Sequence, residues 1–367
     1  VDELQTLRDR LDALDAELLA KAAERLRLVD AIAAVKQARG RELRDFRRER
    51  EVLAKAEAEA RRLGLDPGLA RTLLLSLIEH SLARQERSRM RRDGSGGGRE
   101  ALIVGGAGRM GGWFARFLHD LEWRVRIADP AGSPDGFPRA DDWREAASAS
   151  ALILYATPIQ ATAVGLLELV PLAPQAVVVE IASVKAPLVG AIAEARRAGL
   201  RLASIHPLFG PGVTTLAGRH VVLIEGAPAQ AAALVRSLFA STAAELVEMS
   251  LEEHDRLMAE VLVLSHALNI GFAAALAAAS ESHARLLSIS STTFERQLAV
   301  AREVVAENPA LYFEIQRLDP HAGRARRAFR EQLERLERAV ESGDAEGFAA
   351  LMEEGCRWFG RREDRDR

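Results

Sequence analysis

The stretch ALIVGGAGRMGGWFARFLHD, residues 101–120, decides how the chain is read. A run of aliphatic residues, ALIV, ends in a glycine turn, and the apolar-periodic WFARFLHDL follows. Gly106, Gly108 and Gly111 are spaced G-x-G-x-x-G between the two. Strand, glycine turn and helix in that order make a place for a pyrophosphate. The first glycine permits the tight turn, and the second lets backbone approach the phosphates. The third lets helix pack on strand, while the helix N-terminus offers N–H groups and partial positive charge. Asp129 ends the next strand-like run, RVRIAD, where an acid accepts hydrogen bonds from an adenosine ribose and repels a 2′-phosphate. The expected cofactor is therefore NAD rather than NADP, with Arg124 and Arg126 the nearby cations that favour the opposite choice.

Downstream the same rhythm continues. ALILYA, AVVVEIA, LRLASIH and HVVLIEG are short β-type runs separated by helical stretches, which predicts a mainly parallel sheet covered by helices. From about Leu251 onward no strand signal remains. VLVLSHALNIGFAAALAAAS (Val261–Ser280) has no Asp, Glu, Lys or Arg and is long enough to span a bilayer. It is alanine-rich, contains Ser265, His266 and Asn269, and lacks aromatic anchors, so a helix buried in the protein or at a subunit interface is expected.

Upstream, residues 1 to about 90 are helical throughout. Leu4, Leu7, Leu11, Leu14 and Leu18 recur at spacings of three and four, continuing through Leu28 and Ile32 to Val35. Gly40 interrupts; a second helix runs from about Arg44 to Leu63; Asp66-Pro67 starts a third, which ends near Arg89. The first helix is over about 50 Å long at 1.5 Å per residue, too long to bury its apolar stripe alone, so an intertwined dimer is expected. DGSGGG (Asp93–Gly98) is expected to be a flexible linker. The resulting division is a helical segment 1–92, a linker 93–98, a dinucleotide-binding domain 99–248 and a helical domain 249–367.

Composition constrains the rest. The 367 residues suffice for several domains with their own cores. A net charge of −3 gives no basic field for nucleic acid. The single cysteine, Cys356, excludes an intramolecular disulfide and any cysteine-based metal cluster, which fits the cytoplasm. VDELQTLRDRLDALD is charged from its second residue and is not a secretory signal, so neither a metal nor a membrane is expected.

Several charged residues in the helical segment share directions with apolar ones. Arg25 and Lys36, eleven residues apart, point within about 20° of each other, toward the side that carries Leu11, Leu18 and Ile32. Arg8 is offset from Arg25 by about 100° and suits a pocket of the other subunit. Asp45, Arg48 and Glu49 share one side of the second helix, and Ser81 and Gln85 lie one turn apart on the third. Solvated charge on surface helices accounts for most of these residues; an anion pocket accounts for their facing apolar positions.

LRDRLDALD, AERLRLVDAIAAVK, RDFRRERE and IEHSLARQ together resemble the all-helical chorismate mutase family over residues 1–90. The resemblance implies rearrangement of chorismate to prephenate by positioning and electrostatics, without a covalent nucleophile. It implies that Arg8 of the other subunit, Arg25 and Arg48 grip the two carboxylates. Lys36 and Gln85 then stabilise charge on the breaking ether oxygen, Asp45 and Glu49 address the ring hydroxyl, and Ser81 contributes to binding.

In the second half, Ser183 of IASVKAPL and His206 of SIHPLFGP each end or follow a strand, where open α/β sheets place their ligands. With GGAGRMG, TPI, EEHDRLMA and ENPALYFEI, these segments resemble prephenate dehydrogenases, and the whole chain is similar to the fused mutase–dehydrogenase enzymes of tyrosine biosynthesis. The implied fold is an all-α mutase domain, a Rossmann-type α/β domain and an all-α dimerisation domain. The implied chemistry is NAD-dependent oxidative decarboxylation of prephenate to 4-hydroxyphenylpyruvate. His206 accepts the proton of the ring hydroxyl, and Ser183 orients it near the nicotinamide. Ala107, Arg109 and Met110 join the three glycines in the cofactor cradle, with Thr157 and Pro158 of TPI. His254, His266 and Asn269 line the site or serve the core or an interface. Chorismate and prephenate are the implied partners, and tyrosine the implied inhibitor.

Two departures stand out. In the ungapped match through SSTTFERQLAV, the family's arginine for a substrate carboxylate falls on Glu295. Arg296, one place later, is rotated by about 100° and substitutes only if the backbone shifts register. Gly212 stands where many relatives carry an acid. Glu295 suits a substrate with an amino group at C4, 4-amino-4-deoxychorismate, taken through the same two steps to 4-aminophenylpyruvate. A third reading makes the second half a non-catalytic module that regulates the mutase.

Overall fold

The computed structural model describes residues 3–38 and 46–360. The chain forms two compact units. The first runs to Thr157 and takes in Leu172–Ile181 and Gly199–Glu248; the second holds Pro158–Pro171, Ala182–Ala198 and the chain from Met249.

The first unit opens with three helices, α1 (Glu3–Ala38), α2 (Phe46–Leu63) and α3 (Pro67–Arg92). The 36 residues of α1 span about 54 Å. Its stripe is uncovered, since Leu7, Leu11, Leu14 and Leu18 are each 54–60% exposed. At the start of α3 the Asp66 carboxylate accepts from the Leu69 N–H at 3.0 Å, and Pro67 occupies the first turn, as the dipeptide predicts. Arg84 of α3 pairs with Asp30 of α1 at 2.7 Å.

The DGSGGG segment departs from the linker expected of it. The N–H groups of Gly96 and Gly98 donate to the carbonyls of Leu121 and Glu122, both at 2.8 Å. The Arg99 guanidinium lies 4.5 Å over the Trp123 ring. A Cβ on Gly94 would come within 2.7 Å of the Leu121 carbonyl, and one on Gly96 would enter the Glu122–Trp123 backbone. Glycine is used here for close approach of two segments of the chain, a property that composition cannot separate from flexibility.

The sheet alternates with helices: β1 (Glu100–Val104), α4 (Arg109–Asp120), β2 (Arg124–Ala128), α5 (Trp143–Ala149), β3 (Leu152–Tyr155), α6 (Ile159–Leu169), β4 (Val177–Glu180), α7 (Val189–Arg197), β5 (Arg201–Pro207), β6 (His220–Ile224), α8 (Ala229–Phe239) and β7 (Glu245–Met249). The strand order is β2-β1-β3-β4-β5-β6-β7, with β1 to β5 parallel and β6 antiparallel to β5. Every residue of β3 and β4 is buried, as expected for strands covered on both faces. The edge strand β7, ELVEM, is not legible in the sequence: it neither alternates regularly nor carries a long apolar run, and it is largely exposed. The core joins Phe114, Phe117, Leu118 and Trp123 to Ile103, Val179 and Phe239, and includes Met90 of α3.

In the second unit, α6 and α7 pack on each other, and the chain after β7 is helical as expected: α9 (Leu251–Met258), a π-turn (Ala259–Leu264), α10 (Ser265–Ala278), α11 (His283–Leu287), α12 (Thr292–Val305), α13 (Pro309–Leu318), α14 (Ala322–Ser342) and α15 (Ala345–Trp358). Leu251–Ala278 is one continuous helix long and apolar enough to cross a membrane, and only 17% of its most apolar window is buried within the chain. Of the two expected placements for this segment, burial inside a single chain is therefore not what is found.

Candidate active sites

Between α1 and α3 the Arg25 guanidinium donates to Ser81 Oγ at 3.4 Å and to the Leu77 carbonyl at 3.5 Å. Ser81 is buried and its hydroxyl donates to the same carbonyl at 2.6 Å. Among the described residues Arg25 has only these neutral partners, and burial lowers its pKa. A half-buried guanidinium without a carboxylate is suited to an anion. Gln85, one turn beyond Ser81, is half-buried. Arg48, on the first turn of α2, is exposed and contacts Glu51 at 3.2 Å; Glu49 beside it is half-buried. Arg8 lies seventeen residues before Arg25, about 25 Å along α1, and so cannot serve the Arg25 pocket of its own chain. Asp45 and the Lys36 side chain lie outside the described residues.

At the head of the sheet, the glycine turn has the shape its spacing predicts, with one change of role. Gly105, not Gly106, carries the left-handed φ of +86° that the turn requires. A Cβ on Gly106 would meet the Ile127 side chain, and one on Gly111 would enter the Gly105 carbonyl, so both are fixed by packing. Gly108 is the N-cap of α4, and no side chain caps the helix there. Nothing but the Gly105 carbonyl, at 3.3 Å, lies near where its Cβ would be. Ala107 lies within this bend, and Arg109 and Met110 open α4. Asp129, just after β2, accepts from the Ala107 N–H at 3.1 Å and the Ala131 N–H at 2.8 Å, so it also holds the turn in place. Thr157 follows β3, and its methyl and the Ala156 carbonyl back Gly105; Pro158 is the N-cap of α6. Open helix N–H groups, a bare glycine and an acid beyond the second strand fit NAD. Arg124, one of the cations that favour NADP, faces Glu100 at 3.6 Å.

His206 is the penultimate residue of β5, paired with Val222 of β6, and 4% exposed. Two residues earlier, on the same face, buried Ser204 donates to buried Glu180 at the end of β4. Ser183 is half-buried on the turn three residues beyond β4. That turn is fixed within the second unit by Asp255 of α9, whose carboxylate accepts from the Lys185 N–H at 2.9 Å and the Ala186 N–H at 2.6 Å. His254 is fully buried, with Nδ1 2.7 Å from Asp255 Oδ1. His266 stacks on Tyr312 at 4.0 Å, and Asn269 accepts from Gln297 of α12 at 2.8 Å. Burial lowers the His266 pKa to about 4. Sequence reasoning missed Glu180, Ser204 and Asp255; EIASVK and EEHDRLMA contain two of them, but only the fold pairs each with its partner.

Glu295 sits in the first turn of α12 and accepts from the Ser290 hydroxyl at 2.6 Å. Phe294 meets Phe272 of α10, and Ala301 is buried. Arg296 is exposed and stands about 200° around the helix from Phe294. α12 is regular from Thr292, which leaves Arg296 about 100° around the helix from Glu295.

Comparison with known proteins matches this architecture piece by piece. Residues 7–86 match the family model "Chorismate mutase type II", residues 136–248 the "Prephenate dehydrogenase, nucleotide-binding domain", and residues 250–354 the "Prephenate dehydrogenase, dimerization domain". The glycine turn precedes the second match. The T-protein of Enterobacter agglomerans is 29% identical over 364 residues, covering 98% of this chain and 94% of that protein. The 4-amino-4-deoxyprephenate dehydrogenase of Streptomyces pristinaespiralis is 32% identical over 275 residues, 72% of this chain and 92% of that protein. Prephenate dehydrogenase from A. aeolicus, solved with hydroxyphenyl propionate and NAD+, shares the fold at a TM-score of 0.56 and 19% identity over 70% of this chain and 95% of its own. With a mutase segment joined to a complete dehydrogenase along its length, the chain belongs to the bifunctional chorismate mutase–prephenate dehydrogenase family.

Proposed function

We propose that this chain rearranges chorismate to prephenate at the α1–α3 site and oxidises prephenate with NAD to 4-hydroxyphenylpyruvate at the sheet. The observation that carries the first step is Arg25, a half-buried guanidinium with neutral partners only among the described residues. Arg25, Arg48 and Arg8 of a second copy bind the two carboxylates, with Ser81 orienting Arg25. Lys36 and Gln85 donate to the ether oxygen as its bond breaks, and Asp45 and Glu49 hold the ring hydroxyl. A neutral Gln85 donates at any pH, so the rearrangement persists across the neutral range.

When bound, NAD supplies the hydride acceptor. His206 takes the proton of the C4 hydroxyl, and Ser183 orients the imidazole. Loss of the ring carboxylate as carbon dioxide aromatises the ring and makes the step irreversible. Gly106, Gly108 and Gly111 with Ala107, Arg109 and Met110 seat the pyrophosphate, Asp129 the ribose, and Thr157-Pro158 the nicotinamide side. The unit of function is a homodimer: the uncovered stripe of α1 and the apolar surface of Leu251–Ala278 are supported as its interface by their exposure. The enzyme acts in the cytoplasm, in keeping with one exposed, unpaired Cys356. Tyrosine inhibits the dehydrogenase, on the resemblance alone.

A coupled assay with chorismate and NAD tests both sites. His206→Ala is expected to consume chorismate at the unaltered rate and form no NADH; a variant that still forms NADH would remove His206 from the role.

Glu295 and the Streptomyces pristinaespiralis relative support a second reading, in which the amino analogue is the substrate. A carboxylate on the first turn of α12 would repel a carboxylate and attract an ammonium. Comparing kcat/KM for prephenate and 4-amino-4-deoxyprephenate decides between them, and Glu295→Arg is expected to move the ratio toward prephenate.

A further inference from the structure

Glu86 follows Gln85 on α3, in the mutase segment, yet its carboxylate is spent on the dinucleotide-binding half. One oxygen accepts from the Leu216 N–H at 2.7 Å and the other from the Ala243 N–H at 2.8 Å, across 130 and 157 residues of sequence. Glu86 is 8% exposed and Leu216 3%. The contact with Leu216 is therefore water-poor, where a charged acceptor holds an amide firmly and a lost partner leaves a buried N–H unsatisfied, whereas Ala243 is exposed.

The two amides are not equivalent. Ala243 stands on the turn between α8 and β7, but Leu216 closes the loop that leaves β5 one residue after His206. That loop is tied at three points. The Leu208 N–H donates to the His220 carbonyl at 2.9 Å, the Trp113 indole N–H of α4 donates to the Val213 carbonyl at 3.3 Å, and Glu86 takes Leu216. Phe209 packs on Trp113 with ring centroids 5.0 Å apart. Between the ties, Gly210, Pro211 and Gly212 supply no side-chain anchor. A cleft of about 310 Å³ opens between this loop, α3 and α4. With two flexible glycines in its span, the loop depends on its anchors for a single conformation.

We propose that Glu86 is a positioning residue for the dehydrogenase: the mutase helix α3 supplies the carboxylate that sets the loop behind the catalytic base. The inference rests on the reading of His206 as that base. It gives the fusion of the two halves a physical content, since α3 serves one site through Ser81 and Gln85 and the other through its next residue.

Glu86→Gln in the full chain is the direct test. A carboxamide keeps one acceptor oxygen and turns an N–H₂ toward the other amide, so one tie is lost with side-chain volume retained. The Michaelis constant for prephenate in NADH formation is expected to rise about tenfold, with kcat falling by less than about threefold. The mutase kcat/KM should stay within about twofold, because the change is aimed at the loop. Amide exchange in residues 208–218 should quicken. Trp113→Phe, which deletes the middle tie and keeps an aromatic ring, should raise the same Michaelis constant.

A merely structural role would lower both activities together or only the melting temperature. Either result, or faster loop exchange with an unaltered Michaelis constant, overturns the proposal. If the unaltered chain formed no NADH from prephenate or its amino analogue, the dehydrogenase reading itself would fall, and this proposal with it. An active wild type beside an unimpaired E86Q sinks the proposal alone.

Discussion

At the scale of the residue, Arg25 is where surface charge and an anion pocket part company. A solvated arginine would tolerate replacement; one held by Ser81, with no carboxylate partner among the described residues, would not. Arg25→Ala is expected to lower the mutase kcat/KM by about a hundredfold or more while the folded chain keeps its NADH formation from added prephenate. Arg25→Lys should recover only part of the loss, because an ammonium lacks the planar fork. His266 gives a stability prediction. Its pKa is lowered from 6.5 to about 4 by burial, and its Nδ1 has no hydrogen-bond partner among the described residues. Between those values the unfolded chain binds a proton that the folded chain does not. Stability should therefore fall as pH drops from 6.5 to 4, by up to about 3 kcal/mol. Urea titrations at pH 7 and pH 4.5 measure this slope, and His266→Phe should flatten it.

Residues that act through local spacing are legible in the amino-acid sequence alone. Gly106, Gly111 and Asp129 belong to one strand–turn–helix–strand unit, and Arg25 and Ser81 each sit on a periodic helix. Glu86 and Asp255 are not, because their partners lie 130 and 70 residues away and a charged helical residue has the same sequence appearance on the surface. Arg296 shows the reverse case: it neighbours Glu295 in sequence, and one helical step turns it about 100° away around α12.

At the scale of the element, the segment after α3 separates two uses of glycine. Gly96→Ala would put a methyl group into the Glu122–Trp123 backbone, with an expected destabilisation of about 2 to 3 kcal/mol. Gly97 has nothing within 4 Å of such a methyl and only its φ of +53° to oppose it, so Gly97→Ala should cost about 1 kcal/mol. Thermal unfolding of the two variants distinguishes a packed turn from a free tether, for which both would be silent. The elements that sequence reveals are those with a strong internal period: α1 to α3, and the six apolar strands. The half-exposed β7 has no such period, and its place is set by pairing at the sheet edge.

At the scale of the whole molecule, two long apolar surfaces need a partner. Leu11, Leu14 and Leu18 on α1 are more than half exposed, as is Val261 in the helix 251–278. A second copy covers both in the proposed dimer, and covering the first delivers Arg8 to the other chain's pocket. Light scattering should give twice 39.9 kDa, and Leu14→Glu with Leu18→Glu should lower mutase activity along with the α1 contact. An Arg8→Ala chain mixed with an Arg25→Ala chain should regain mutase activity through the sites that receive neither change.

Whether one chain performs two consecutive reactions is decided by supplying chorismate and NAD to the purified protein and identifying every product by NMR while NADH is counted. One NADH and one 4-hydroxyphenylpyruvate are expected for each chorismate consumed. Prephenate accumulating to the full amount of chorismate lost, with no NADH formed, would contradict this.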